Sequence, residues 1–280
     1  RLELTGSARP IAADVQYDKR RAFINAGVTP RGTMIYQVVD PMPRYTLAWM
    51  DREGQRTPLP AEPAALRSGF ASLTKDARRA VMEISGNRGE SFVAIFDLDR
   101  GIMTPVGDPK ASFNYGGLWA PGEQSVIIGT DLSPGIQSVV SYPTKGGSGT
   151  PVVKGEYGFE YWASTFSPDG KTMLFTQTSM IDKLPDIMAL DLGKDQPVTR
   201  FMQTPEGEWS PRISPAGEMV AYTVSGEEDM SGVLKVVTYP TPSAPVQISA
   251  TPVTFSSGLW IGPAELAWVD TSRRAWSTTI

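Results

Sequence analysis

Three aromatic residues stand at one spacing: Tyr115, Trp162 and Trp209, each 47 residues from the next. Polar and charged residues flank them. Asn114 precedes Tyr115, Glu160 and Tyr161 precede Trp162, and Glu208 precedes Trp209, with Arg67 and Arg212 nearby in the pattern. Aromatic rings beside amides, carboxylates and a guanidinium suit non-covalent recognition of a peptide or a partner loop. Covalent chemistry is harder to build. The chain has no histidine and no cysteine. Ser-His-Asp and Cys-His catalysis, thiolate chemistry, histidine metal ligation and disulfides are therefore excluded. A repeated aromatic is also what packing between repeated sheets requires, and both readings stand at this stage.

Short motifs add no catalytic site. Asp169-Gly170-Lys171-Thr172 ends like a phosphate-binding loop, but Thr165 stands where its first glycine belongs. Lys145-Gly146-Gly147-Ser148-Gly149-Thr150 is glycine-rich without a strand-to-helix context and reads as a connection. Asp97-Leu98-Asp99-Arg100-Gly101 lacks the downstream ligands of a calcium loop and reads as a hairpin turn. Glu227-Glu228-Asp229 reads as a solvated acidic loop. A net charge of −4 gives no basic footprint for nucleic acid. No run of 18 apolar residues is present, so no transmembrane helix is expected within these residues. No cofactor is expected.

The elements that must position the aromatics come from a repeat. Its clearest copy is Phe166-Ser167-Pro168-Asp169-Gly170, followed by the apolar strand Met173-Leu174-Phe175. Proline, aspartate and glycine supply the tight turn. Copies begin at Val28, Leu73, Trp119, Phe166, Ile213 and Trp260, so the period is 45 to 47 residues. Each turn leads into a short apolar strand: Met34-Ile35-Tyr36, Ala80-Val81-Met82, Val126-Ile127-Ile128, Val220-Ala221-Tyr222 or Leu266-Ala267-Trp268. A third strand and a more polar fourth one follow. Such a period with strands throughout predicts propeller blades of four antiparallel strands. Six copies predict an all-β, six-bladed β-propeller forming one domain over residues 1–280. The expected blades are 23–60, 66–108, 113–154, 160–203, 207–249 and 255–280 plus 2–16. The N-terminal strand near residues 9–15 is expected to pair in the last blade and close the ring. Lys75-Asp76-Ala77 and Gly262-Pro263-Ala264 lack the full turn sequence, so altered loops are expected there. Trp119 and Trp260 hold the position of Phe166 and are expected in the core.

Ser-Pro-Asp-Gly-Lys before an apolar strand resembles the repeat of TolB-like, WD40-like (PD40) β-propellers. Further segments resemble the extracytoplasmic propeller at the C-terminus of bacterial serine/threonine protein kinases. They are Arg1-Leu2-Glu3-Leu4-Thr5-Gly6, Gly32-Thr33-Met34-Ile35-Tyr36, Leu47-Ala48-Trp49-Met50-Asp51-Arg52-Glu53-Gly54, Phe96-Asp97-Leu98-Asp99-Arg100-Gly101 and Thr204-Pro205-Glu206-Gly207-Glu208-Trp209-Ser210-Pro211-Arg212-Ile213-Ser214-Pro215. The resemblance implies a non-enzymatic binding module in the periplasm or another extracytoplasmic space: a sensor domain or a subunit of an envelope complex, with a protein or peptide partner. It leaves room for a membrane anchor upstream of Arg1. The candidate channel mouth is Tyr115, Glu160, Tyr161, Trp162, Glu208, Trp209 and Arg212. The alternatives are a calcium-dependent hydrolase-type propeller, with Glu160 and Glu208 as ligands, and a substrate-gating propeller of a peptidase. No Gly-x-Ser-x-Gly elbow is present for the hydrolase domain the latter would need.

Overall fold

The computed structural model describes residues 17–18, 23–24, 26–28, 34–36, 43–51, 53–86, 91–111, 113–133, 135–181, 184–193, 198–202, 204–225, 231–254 and 258–280. The chain forms strands and turns, arranged as an all-β propeller. Repeat 1 contributes only short pieces. Tyr17–Asp18 (β1) pairs with Phe23–Ile24 (β2), Ala26–Val28 (β3) with Met34–Tyr36 (β4), and Ala48–Met50 (β5) with Arg56–Pro58 (β6).

Repeats 2 to 5 each give a four-stranded antiparallel sheet in simple up-and-down order. Blade 2 is Leu66–Leu73 (β7), Arg79–Ser85 (β8), Ser91–Asp97 (β9) and Ile102–Val106 (β10). Blade 3 is Asn114–Trp119 (β11), Ser125–Ser133 (β12), Ile136–Pro143 (β13) and Thr150–Val153 (β14). Blade 4 is Phe159–Phe166 (β15), Thr172–Ser179 (β16), Pro185–Asp191 (β17) and Val198–Met202 (β18). Blade 5 is Gly207–Ile213 (β19), Met219–Ser225 (β20), Ser231–Thr238 (β21) and Val246–Gln247 (β22), with Val253–Thr254 (β23) pairing on β21 as well. Blade 6 has three strands: Leu259–Trp260 (β24), Glu265–Val269 (β25) and Ala275–Thr279 (β26). The first strands of blades 2 to 5 neighbour one another in that order.

Five blades therefore stand where six were expected. Repeat 1 does not assemble a four-stranded sheet among the described residues. Its strands are two or three residues long, and β5 and β6 are exposed at every position, so they bury no face that would hold a sheet together. Leu47 and Leu59 pack on the core of blade 2, while Tyr45, Trp49 and Met50 are exposed. The expected closing strand falls on residues outside the described set. No strand pairs with the outer edge of β26 among the described residues.

The apolar triplets explain how the blades stack. Met173 and Phe175 join the core against blade 3, with Ile127, Val139 and Tyr161. Leu174, between them in sequence, joins the core against blade 5, with Ile213, Val220 and Tyr222. Alternate side chains of a strand point to opposite faces, so a strand sandwiched between two sheets reads as a continuous apolar run. Full burial of one such side chain contributes ~1.5–3 kcal/mol. Trp119 is buried in the blade 2–blade 3 core, and Trp260 is half-buried against the core shared by blades 5 and 6. Their indole N–H groups donate to the previous blade, Trp119 to the Ser72 carbonyl at 3.0 Å and Trp260 to the Arg212 carbonyl at 2.8 Å.

The turns between first and second strands share one geometry. The Ser167 hydroxyl donates to Asp169 Oδ1 at 2.6 Å, and that oxygen also accepts the Lys171 N–H at 3.1 Å. In repeat 2, Thr74 and Asp76 make the same pair at 2.6 Å and Asp76 accepts the Arg78 N–H at 3.0 Å. The altered loop expected at Lys75-Asp76-Ala77 is thus absent: threonine replaces serine as donor, and Ala77 takes φ +54° where Gly170 has +72°. Asp97-Leu98-Asp99-Arg100-Gly101 is the hairpin turn between β9 and β10, closed by Gly101 N–H on the Asp97 carbonyl at 2.9 Å.

Candidate functional site

The side of the propeller opposite these turns carries the sequence-selected aromatics. The first strand of each blade starts there, paired with the end of the second: Phe159 faces Ser179 and Tyr115 faces Gly129. Three adjacent blades thus bring Tyr115, Trp162 and Trp209 to one end of their inner strands.

Tyr115 is buried, 3 % exposed. Its ring lies across Gly129, where a Cβ would stand 2.2 Å from the tyrosine Cζ, so only glycine fits. Its hydroxyl donates into blade 4, 2.9 Å from the Tyr161 carbonyl, and is shared with Gln137 Oε1 at 2.7 Å. Trp162 stacks on it, tilted by 54° with ring centroids 4.4 Å apart, a favourable geometry for an aromatic pair. Gln137 in turn donates to Glu160 Oε1 at 3.3 Å. Tyr161 is buried, its hydroxyl accepts the Glu156 N–H at 3.3 Å, and burial pushes its phenol up. These residues form one connected seam between blades 3 and 4.

The next seam differs. Trp209 is half-buried, with its indole N–H on Ser225 Oγ at 3.1 Å. Glu208 is fully buried and accepts the Thr204 N–H at 2.9 Å together with the Thr204 hydroxyl. Burial pushes its carboxyl up, and the nearby Asp186 and Glu206 charges add to the shift. Arg212 donates through Nη1 to the Ser164 carbonyl of blade 4, and burial lowers its guanidinium to about 10, so it stays cationic at neutral pH.

The structure therefore gathers Tyr115, Glu160, Tyr161 and Trp162 at one seam and Glu208 and Trp209 at the next. Arg212 is fixed to the backbone of the neighbouring blade. The three aromatics are engaged in packing between and within blades. Among the described residues, Glu160 and Glu208 belong to no group of three or more metal-ligating side chains that could hold an ion. The side chain of Arg67 and the loop Glu227-Glu228-Asp229 lie outside the described set.

Sequence reasoning missed the exposed residues of this side. Tyr157 is 81 % exposed and Ile181 86 %, with Met180 and Leu184 exposed beside them. The Met180 N–H donates to the Gly158 carbonyl at 2.8 Å, joining the β16–β17 hairpin tip to the loop that carries Tyr157. The Tyr157 ring also reaches the β12–β13 hairpin, where a Cβ on Gly135 would lie 2.9 Å from it. These residues sit at no repeated position, so periodicity could not single them out. A groove of about 320 Å³ lies at the other end of β16, between blades 4 and 5, lined in part by Thr172, Asp191, Arg200, Phe201, Tyr239 and Pro240. It is separate from the aromatic set.

No family model matches the chain, and no curated protein matches it. Solved structures do. TolB from Acinetobacter baumannii is 16 % identical over 84 % of this chain and 57 % of its own, with a TM-score of 0.65. A TolB candidate from Agrobacterium tumefaciens is 13 % identical over 90 % of this chain and 87 % of its own, with a TM-score of 0.62. An oligogalacturonate lyase from Vibrio parahaemolyticus is 11 % identical over 84 % of this chain and 66 % of its own, with a TM-score of 0.54. The chain spans little more than half the length of the first of these. At such identities the likeness concerns fold alone, since one propeller scaffold serves both binding proteins and enzymes. On its repeats, its blade topology and these neighbours, the chain has the TolB-like β-propeller fold.

Proposed function

We propose that residues 1–280 act as a single non-enzymatic binding propeller, in the periplasm or another extracytoplasmic space, and take a protein partner on the side where the inner strands begin. The observation that carries this reading is the cluster of Tyr157, Met180, Ile181 and Leu184 on adjoining loop tips of blades 3 and 4. Scattered exposed apolar residues are ordinary, but neighbouring ones at near-full exposure mark a surface that is covered in use. Tyrosine and methionine are favoured at such surfaces. The seam joins the loop that carries Tyr157, since the Tyr161 hydroxyl accepts the Glu156 N–H and the Tyr161 carbonyl accepts the Tyr115 hydroxyl. The absence of histidine and cysteine from the whole sequence supports the non-enzymatic side. A sensor domain or an envelope-complex subunit is the biological setting that the repeat resemblance supports.

The test is retention of a protein from an envelope extract by the immobilised chain. The double variant Tyr157→Ser, Ile181→Ser should melt like the wild type, because both side chains are exposed, and should lose the retained protein. Equal retention by both chains sinks this surface as the site. Melting with added calcium separates the alternative: a large upward shift argues for a metal-dependent hydrolase, and an unshifted melt argues for the binding module.

A further inference from the structure

The seam between blades 4 and 5 contains a carboxyl group that the binding surface does not use. Glu208 is 0 % exposed. One of its oxygens is held by Thr204, and the other, Oε2, has no hydrogen-bond partner among the described residues. Its surroundings are acidic. Asp186 on β17 and Glu206 on the connection into blade 5 both act on it, and the Tyr222 phenol of β20 lies within its field. The nearby cations are already directed at those neighbours. Arg200 of β18 lies 3.8 Å from Asp186, and Lys235 of β21 lies 2.9 Å from Glu206. An ionised Glu208 would thus be desolvated, hydrogen-bonded on one side only, and surrounded by like charge, the costly way to bury a carboxylate. A protonated one is neutral, keeps the Thr204 contacts and turns its second oxygen into a hydroxyl.

We propose that Glu208 is a proton-operated latch on this seam, protonated when residues 204–209 are seated against blade 4 and ionised when that segment is released. The segment runs straight into Trp209, so the latch connects proton concentration to the aromatic end of the inner strands. It closes in acid and loosens as pH rises. The sign follows from linkage. Burial and like charge raise the folded-state carboxyl above its unfolded value, so the unfolded chain gives up this proton first. Glu208 therefore costs stability progressively from the ordinary carboxylate range up to its folded value. The exposed acids Asp76 and Asp169 act oppositely, being held low chiefly by the Thr74 and Ser167 hydroxyls. Only the difference between wild type and a Glu208 variant isolates the latch.

The experiment is melting of wild type and Glu208→Gln from about pH 5 to about pH 8, a window above the ordinary carboxylate value. The variant should melt ~2–4 °C above the wild type at the upper end, and the two should converge toward the lower end. Amide exchange over residues 204–209, compared between the two chains at each pH, should be faster in the wild type only at the upper end. A variant that melts below the wild type by the same amount at every pH, or one with matched exchange throughout, overturns the latch. Infrared spectroscopy decides independently, and still decides if the variant does not fold. A protonated-carboxyl band that the folded wild type retains above about pH 6, where ordinary carboxyls are ionised, and loses at higher pH supports the proposal, and absence of the band there overturns it.

Discussion

The turn side and the mouth side of the same blades spend their polar groups differently. On the turn side, Asp76 and Asp169 each accept two hydrogen bonds from their own turn, and the Ser214 hydroxyl accepts the Met219 N–H at 3.1 Å. Successive turns also rest on one another. A Cβ on Gly170 would stand 2.9 Å from Pro121, and one on Gly217 would stand 3.2 Å from Pro168. On the mouth side, Asn114 Oδ1, Thr178 Oγ1 and Glu208 Oε2 are buried without hydrogen-bond partners among the described residues, while Tyr157 and Ile181 are exposed. A buried unsatisfied group costs about 1–3 kcal/mol, so the mouth side is the less optimised of the two. Stability is concentrated where the turns stack, and the other side is left free to carry loops of varied chemistry.

The largest effect should come from a place where the mouth side is as well locked as the turns. Tyr115→Ala removes a buried ring, its aromatic partner and its bond into blade 4, and should cost ~3–5 kcal/mol in denaturant unfolding, as large-to-small aromatic changes in cores do. A loss below about 1 kcal/mol would show that blades 3 and 4 are held together by the apolar core deeper in the seam, and the contrast between the sides would need redrawing.

On the turn side, Gly170→Ala should cost less, about 1–2 kcal/mol, because it places a Cβ at φ +72° and crowds Pro121. A neutral result would mean that the stacked turns yield easily, and that the rigidity assigned to them lies elsewhere.

Most of the architecture was legible because a turn has local chemistry and a buried strand has a local pattern. Ser167-Pro168-Asp169-Gly170 and Met173-Leu174-Phe175 specify a tight turn and a strand buried on both faces without help from the rest of the chain. Repeat 1 misled because its period is correct while β5 and β6 are exposed at every position, and counting periods does not measure burial. The candidate site was legible in part. Equal spacing correctly placed Tyr115, Trp162 and Trp209 on neighbouring blades, yet spacing cannot distinguish a ring that packs from one that waits for a ligand. Tyr157 and Ile181 belong to single loops, and Gly129 matters only because a ring from another strand crosses it. None of these leaves a trace along the chain.

The smallest effect tests how far the turn chemistry can be read by position. Four turns place their fourth residue after the repeat's first position in the left-handed region: Ala77 at φ +54°, Glu123 at +58°, Gly170 at +72° and Gly217 at +72°. Glu123 has a reason to be something other than glycine, since its carboxylate accepts the Lys75 N–H at 2.7 Å and lies 3.9 Å from Arg79, tying blade 3 to blade 2. Ala77 has a methyl group and no such bond. Replacing it with glycine relieves ~1–2 kcal/mol of left-handed strain. The greater freedom of glycine in the unfolded chain takes back about 0.4–1 kcal/mol. Ala77→Gly should therefore stabilise the chain by ~0.5–1 kcal/mol in denaturant unfolding, with the slope of the transition unchanged. A loss of stability would mean that the Ala77 methyl group makes contacts worth more than the strain, and that the Thr74–Asp76 turn is held by its side chains rather than tolerated by its backbone.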